Sequence, residues 1–194
     1  MKILKNNPID TKVLKKISIL FISIIFVTML ITIIAKIDVL KLLKNIYSGS
    51  LPVQNNQKGF LSNLSNDTLK LPLFTLMLAL IPIPYLFTVV FFFNSIILGM
   101  LFATPFVEHN LTMFLVILGT FPTVILEGLA LLITYIGGLY INKAICSKIY
   151  KNQKIKLTSI ILSSIKLYLI YTIPLSTLSV LIETFVTPKI IHLF

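Results

Sequence analysis

Residues 17–35 read ISILFISIIFVTMLITIIA, and no charge interrupts them. At helical rise the stretch is about 29 Å long, enough to cross a hydrocarbon core of about 30 Å. Five lysines precede it: Lys2, Lys5, Lys12, Lys15 and Lys16. A secretory signal also starts basic, but its apolar core is about 7–15 residues long and ends at a small-x-small site. Here Lys36-Ile37-Asp38 follows Ala35 and offers no such site, so the stretch is predicted to be an uncleaved first span.

The rest of the chain shares this character. Of 194 residues, 57% are hydrophobic and only 12% charged, and the mean hydropathy is +0.99. A soluble domain carries roughly 25% charged residues. Half that density cannot coat a soluble surface, which excludes a soluble enzyme, a secreted domain and a disordered chain. The expected fold is an all-α, polytopic membrane protein: one membrane domain over 1–194, with four to five membrane segments. The net charge of +11 comes from seventeen lysines, no arginine and six acids. Lysines beside apolar stretches mark membrane flanks, and the absence of arginine argues against nucleic acid. A lone Cys146 permits neither an internal disulfide nor a cysteine zinc cluster, and His109 and His192 form no spaced ligand set. No cofactor or metal is expected.

Residues 36–70 are the long polar loop, with Gly49, Pro52, Gly59 and the run Gln54-Asn55-Asn56-Gln57-Lys58. Apolar positions 39, 40, 42, 43 and 46 suit either a short interfacial helix or a plain solvated loop. Residues 71–103 carry no charge and as one helix would run about 50 Å, too long for a single span. Pro82 and Pro84 each remove a backbone donor, so a bend is predicted at 82–84, leaving a half-segment and a longer one, Pro-broken or re-entrant. A polar break follows at 104–110. Residues 111–142 again exceed one straight span; Pro122 interrupts them, and Glu127 is their one charge. The basic segment 143–156 holds five lysines and no acid, and 157–187 is the last span, with Lys166, Pro174 and Glu183 inside it.

Short basic segments face the cytoplasm. The 1–16 and 143–156 segments are therefore predicted cytoplasmic, and the 104–110 loop external. An even number of crossings must separate residues 16 and 143, so 71–103 should enter and leave on the outer side as a hairpin. The alternative makes 71–103 a true span and puts the hairpin at Pro122; five lysines in the 36–70 loop speak for it.

Glu127 carries the strongest chemical signal. An acid inside an apolar segment needs a partner or a wet cavity. Thr123, Ala130, Thr134 and Gly138 surround it at helical spacing, a face small enough for close helix contact. It reads either as an ion, proton or partner site, or as an interhelical hydrogen bond. Lys166 is the candidate counter-charge, unless it snorkels to the surface. Asn94, Ser95 and Gly99 form a small polar cluster of the kind that bonds neighbouring helices. Phe91-Phe92-Phe93 is packing or lipid-facing bulk. Glu108-His109 is a loose pair without a nucleophile, and nucleotide-binding, zinc-protease and nucleophile-elbow patterns are absent. No enzymatic activity is expected.

Two stretches carry a resemblance: Phe93-Asn94-Ser95-Ile96-Ile97-Leu98-Gly99, and Phe121-Pro122-Thr123-Val124-Ile125-Leu126-Glu127 followed by Gly137-Gly138. They resemble the stage II sporulation protein M family of bacterial membrane proteins, over residues 66–142. That family shows Asn-Gly-x-x-x-Gly near the end of one membrane segment and Pro-His-Gly-x-x-Glu in the next. The Asn-to-Gly and Pro-to-Glu spacings match; Ser95 replaces a glycine, and Thr123 and Val124 replace the His-Gly pair. The resemblance implies a divergent, non-enzymatic membrane component with Asn94, Gly99, Pro122 and Glu127 as its motif positions. It implies a scaffold or accessory role in engulfment or in circular-bacteriocin production and export, and partners such as a peptidoglycan-hydrolase complex, ABC transporter subunits or further copies of the chain. A small transporter-like or bacteriocin self-immunity protein is the alternative. Exclusive use of Lys with abundant Ile and Asn suits an AT-rich Gram-positive genome. The expected location is the cell membrane, multi-pass, with a cytoplasmic N-terminus.

The lysine pattern predicts that a topology reporter fused after residue 150 reads cytoplasmic and one fused near residue 56 external. A cytoplasmic signal at 56 would move the hairpin to Pro122.

Overall fold

The computed structural model describes residues 11–39, 41, 70–109 and 111–191. Apolar runs bounded by basic or polar breaks leave the backbone no partners but its own, so every long described element is a helix. They are α1 (Thr11–Ile34), α2 (Leu71–Leu80), α3 (Thr88–Glu108) and α4 (Leu111–Tyr150), followed by α5 (Leu157–Leu167), α6 (Ile173–Leu181) and α7 (Thr187–Ile191). The last three form one helical run, joined by π-helical turns at Tyr168–Thr172 and Ile182–Val186. Four helical stretches, including that run, are long and apolar enough to cross a membrane. The interfacial helix or loop expected from residue 38 lies outside the described residues, apart from a first turn in which the Asp38 carboxylate accepts the Lys41 N–H at 2.9 Å.

Helix α4 touches every other described helix. Side-chain contacts fix the register around it. Phe87 packs on Gly138, Phe91 lies beside Tyr135 with ring centroids 4.5 Å apart, and Asn94 shares a cavity with Glu127 and Ala130, so α3 runs antiparallel to α4. Phe21 meets Phe91 at 5.3 Å while Ile25 and Thr28 press on Gly99, so α1 runs parallel to α3. Ser164 bonds to Gly137, Ser179 to Thr123 and Thr187 to Gly119, so the C-terminal run returns antiparallel along α4. Phe21, Phe87, Phe91, Tyr135, Ile136 and Tyr168 form the shared core, while Phe92 and Phe93 turn outward with the apolar faces of α1.

Helix α2 is half-length. Leu71 and Pro72 lie at the height of Glu127, and Ala79 at the height of Gly138. The chain then reverses over 81–87, so α2 and α3 form a hairpin whose tip sits against the last turns of α4. The bend expected at 82–84 is thus present and somewhat wider. Most of its backbone groups that find a side-chain partner find it in Asn142. Asn142, 3% exposed, places Nδ2 within 3.2 Å of Ala79 O, 3.0 Å of Ile81 O and 3.1 Å of Ile83 O. Its Oδ1 accepts the Tyr85 N–H at 3.0 Å, and the Tyr150 hydroxyl donates to Pro82 O at 2.7 Å.

Pro122 does not interrupt the helix, contrary to the sequence expectation, and no hairpin forms there. Proline removes the donor for the carbonyl four positions back, here Leu118 O, and in an apolar setting hydroxyls bond the carbonyls on either side of it. Around Pro122, Thr120 donates to Ile117 O, Thr123 to Thr120 O, Thr187 to Gly119 O and Ser179 to Thr123 O. The expected polar break at 104–110 is also shorter, because α3 continues through Pro105 to Glu108 and ends at His109 in a left-handed conformation (φ 48°).

Replacing Asn142 with leucine should leave the Tyr85 N–H, Ala79 O and Ile81 O without their partner, while Ile83 O keeps the Leu86 N–H. At about 1–3 kcal/mol per unmet buried group, we expect a loss of about 3 kcal/mol or more. Thermal unfolding in detergent followed by gel filtration reads it. Asn142→Asp keeps the acceptor for Tyr85 but turns a carboxylate oxygen on the carbonyls, so it should lose at least as much.

Candidate functional site

The polar centre of the bundle is built on α4. Glu127 follows Pro122 by five residues and is half-buried between α3 and α6. The Ser179 hydroxyl lies 2.9 Å from Glu127 Oε1 and 3.1 Å from Thr123 O. It has one proton for two acceptors, so Thr123 O, Ser179 and Glu127 act as one unit. Beside it a cavity of about 70 Å³ is lined by Leu71, Pro72, Asn94, Glu127, Ala130 and Ser176. That is room for a few water molecules among polar side chains from three helices. A larger cavity, about 310 Å³, opens on the other side of Glu127 and holds Glu183, Thr104 and Thr120 among apolar walls of Leu101 and Phe102.

Asn94 and Glu127, the polar residues of the two stretches singled out by sequence, thus line one small cavity. Asn94 Nδ2 donates to Val90 O of its own helix at 2.8 Å. Its neighbours play other parts. Ser95 is buried and bonds Phe91 O, and Gly99 lies at the crossing of α1 and α3. A Cβ on Gly99 would come 2.6 Å from Ile25 O and 2.8 Å from Thr28 Cβ, so only a hydrogen fits. Pro122 lies one turn and a half from Glu127, where the hydroxyl donors gather. Of the face around Glu127, Thr123, Ala130, Thr134 and Gly138 are all buried; Thr134 meets Thr172 at 3.1 Å and Gly138 admits Phe87.

Lys166 is elsewhere. It is exposed on α5, next to the turn where Ser164 meets Gly137. Ser179, the residue at Glu127, is thirteen positions further along the same run, about 20 Å at helical rise. The expected Glu127–Lys166 pair does not form; the antiparallel register brings serines to the acid and leaves the lysine near the basic end, where a long stem reaches the surface. Glu183 approaches Glu127 instead, across the larger cavity.

Sequence reasoning missed Asn142 and the hydroxyl seam of the C-terminal run: Ser164, Thr172, Ser176, Ser179 and Thr187, all buried. A signal existed for Asn142, which lies one helical turn after Gly138 on the same face and opposite carbonyls that Pro82 and Pro84 leave exposed. Among the described residues no three His, Cys, Asp or Glu side chains gather as a metal site.

A bundle of antiparallel apolar helices, one re-entrant half-helix and a hydroxyl-lined acid at mid-height define a polytopic helical membrane protein. The family description stage II sporulation protein M matches residues 17–188, and the chain belongs to that family. No curated protein and no solved structure gives a significant match.

Separation makes Glu127 and Lys166 independent. In a double-mutant cycle of Glu127→Gln and Lys166→Met, read as thermal stability in detergent, the two effects should add within about 0.5 kcal/mol. Ser179→Val should cost about 0.6–1.7 kcal/mol, the range for hydrogen bonds between membrane helices.

Proposed function

We propose that this member of the family is a non-enzymatic scaffold or accessory subunit of a bacterial membrane complex, of the kind that serves engulfment or the production and export of circular bacteriocins. The observation that carries this reading is where the mid-membrane polar groups go. Glu127, Thr134 and Gly137 are joined to Ser179, Thr172 and Ser164, contacts that knit helices together. Between the cavity at Glu127 and the polar tip at Asn142 lie the buried rings of Phe87, Phe91 and Tyr135, which close the way for a solute. Large apolar side chains on α1, such as Ile22 and Phe26, remain exposed for lipid or for another membrane helix. Helix α1 and the C-terminal end of α4 put their lysines at one end of the bundle, which the positive-inside rule assigns to the cytoplasm of a cell membrane. In this reading the partners are a peptidoglycan-hydrolase complex, ABC transporter subunits or a second copy of the chain.

The second reading is a small transporter-like or self-immunity protein. It rests on the cavity that Glu127 and Glu183 share. The two separate in reconstituted vesicles and in native membranes. A scaffold should co-purify from crosslinked native membranes with a hydrolase or a transporter subunit, and should leave a proton gradient across proteoliposomes as tight as in protein-free vesicles. Gradient loss that Glu127→Gln abolishes would overturn the scaffold reading and establish the second.

A further inference from the structure

The hairpin tip and the last turns of α4 enclose a cleft of about 260 Å³. Lys143 and Ser147 contribute from one face of α4 and Lys151 from the residue just beyond its end, at a spacing of four, and Tyr85 contributes from the tip. Tyr150, whose hydroxyl is anchored on Pro82 O, closes one side. Tyr85 is held at φ 62°, a left-handed conformation that a bulky residue avoids and that persists only where the surroundings enforce it. Asn142 enforces it by accepting the Tyr85 N–H.

The electrostatics of this end have one sign. Phe21 is level with Phe91, so Lys12, Lys15 and Lys16 of α1 lie toward the tip, joined by Lys143, Lys148, Lys151, Lys154 and Lys156. No acid occurs between residues 128 and 182. The C-terminal carbonyls of α2 and α4 oppose an anion here, but each helix end carries only about half a charge, and the lysines outweigh them. Around the cleft, Ile83, Tyr85 and Ile149 are more than half exposed, an apolar rim beside cationic and hydroxyl donors.

We propose that this cleft binds a phosphate group, as carried by the headgroup of an anionic phospholipid or by soluble phosphate. Basic pockets between membrane helices on the cytoplasmic side take such headgroups, and amphipathic tyrosines sit at the same depth. The two ammonium groups meet the phosphate oxygens, the hydroxyls of Ser147 and Tyr85 supply further donors, and acyl chains lie along the rim. The site stands apart from the Glu127 centre and does not depend on the scaffold reading.

Cys146 lines the cleft and is the one cysteine of the chain, so it reports occupancy. The test is the rate of its modification by an uncharged maleimide, with the full chain in vesicles of phosphatidylcholine alone, of phosphatidylcholine with phosphatidylglycerol, and of phosphatidylcholine with inorganic phosphate. Slowing by roughly fivefold or more with phosphatidylglycerol is expected. Slowing with inorganic phosphate instead assigns the cleft to soluble phosphate. The effect is taken as a ratio within each variant, so changes in thiol reactivity cancel. It should vanish in Lys143→Gln/Lys151→Gln and persist in Lys143→Arg/Lys151→Arg and in Lys189→Gln, a lysine at the opposite end. Equal rates in all three vesicles, or slowing that survives loss of both lysines, would overturn the site.

Discussion

One carboxamide ties down the chain where it turns back at the lysine-rich end of the bundle. A helix end leaves carbonyls that have no partner within the helix. Asn142 answers three of them and supplies the acceptor for the first N–H of the returning chain. Because Asn142 belongs to α4, the turn is tied to the helix that touches all the other described helices. The depth of the tip, the height at which α2 begins and the alignment of Asn94 with Glu127 all follow from that anchorage.

The same accounting governs the prolines. The chain is broken at Pro82 and Pro84, where two prolines fall within one turn, and continues through Pro105 and Pro122, where a single donor is lost and hydroxyls bond neighbouring carbonyls. Along α4 the seam alternates between glycine, which admits a neighbour closely, and threonine or glutamate, which bonds it. Gly137 and Gly138 let Ser164 and Phe87 approach, and Thr134 and Glu127 take hydrogen bonds from the same side. Lipid gives no hydrophobic reason for helices to associate, so close fit and hydroxyl bonding hold them.

Much of this could be read from residues alone. Uncharged lengths located the spans, and the excess length of 71–103 with its paired prolines located the hairpin. Glu127 and Asn94 stood out because each is costly in lipid. What could not be read was register. Whether Glu127 meets Lys166 or Ser179 depends on how far two antiparallel helices slide past one another, and local sequence does not carry that. Pro122 misled because a proline was weighed without its neighbours; Thr120 and Thr123 beside it were the evidence that the helix continues. Asn142 was overlooked because it closes an apolar run and borders a lysine-rich segment, where an asparagine draws no notice.

The two π-turns have a consequence for how such a chain can change. From Ser164 to Thr172, and again from Ser179 to Thr187, the seam advances eight residues, which in an α-helix would swing it by about 80° off its face. Each interval contains a π-turn, which takes up one residue, and what remains is close to two full turns. Proline follows each, at Pro174 and Pro188, and its ring crowds the carbonyl four positions back, inside the widened turn. The seam is therefore a seven-residue pattern carrying two inserted residues. An insertion tolerated in this way is a reversible one: deleting a single residue from either turn restores an ordinary helix and leaves everything beyond it within about 20° of its present face. In a lineage of such proteins, the C-terminal run can therefore change by one codon in length while the same hydroxyls go on facing the long helix.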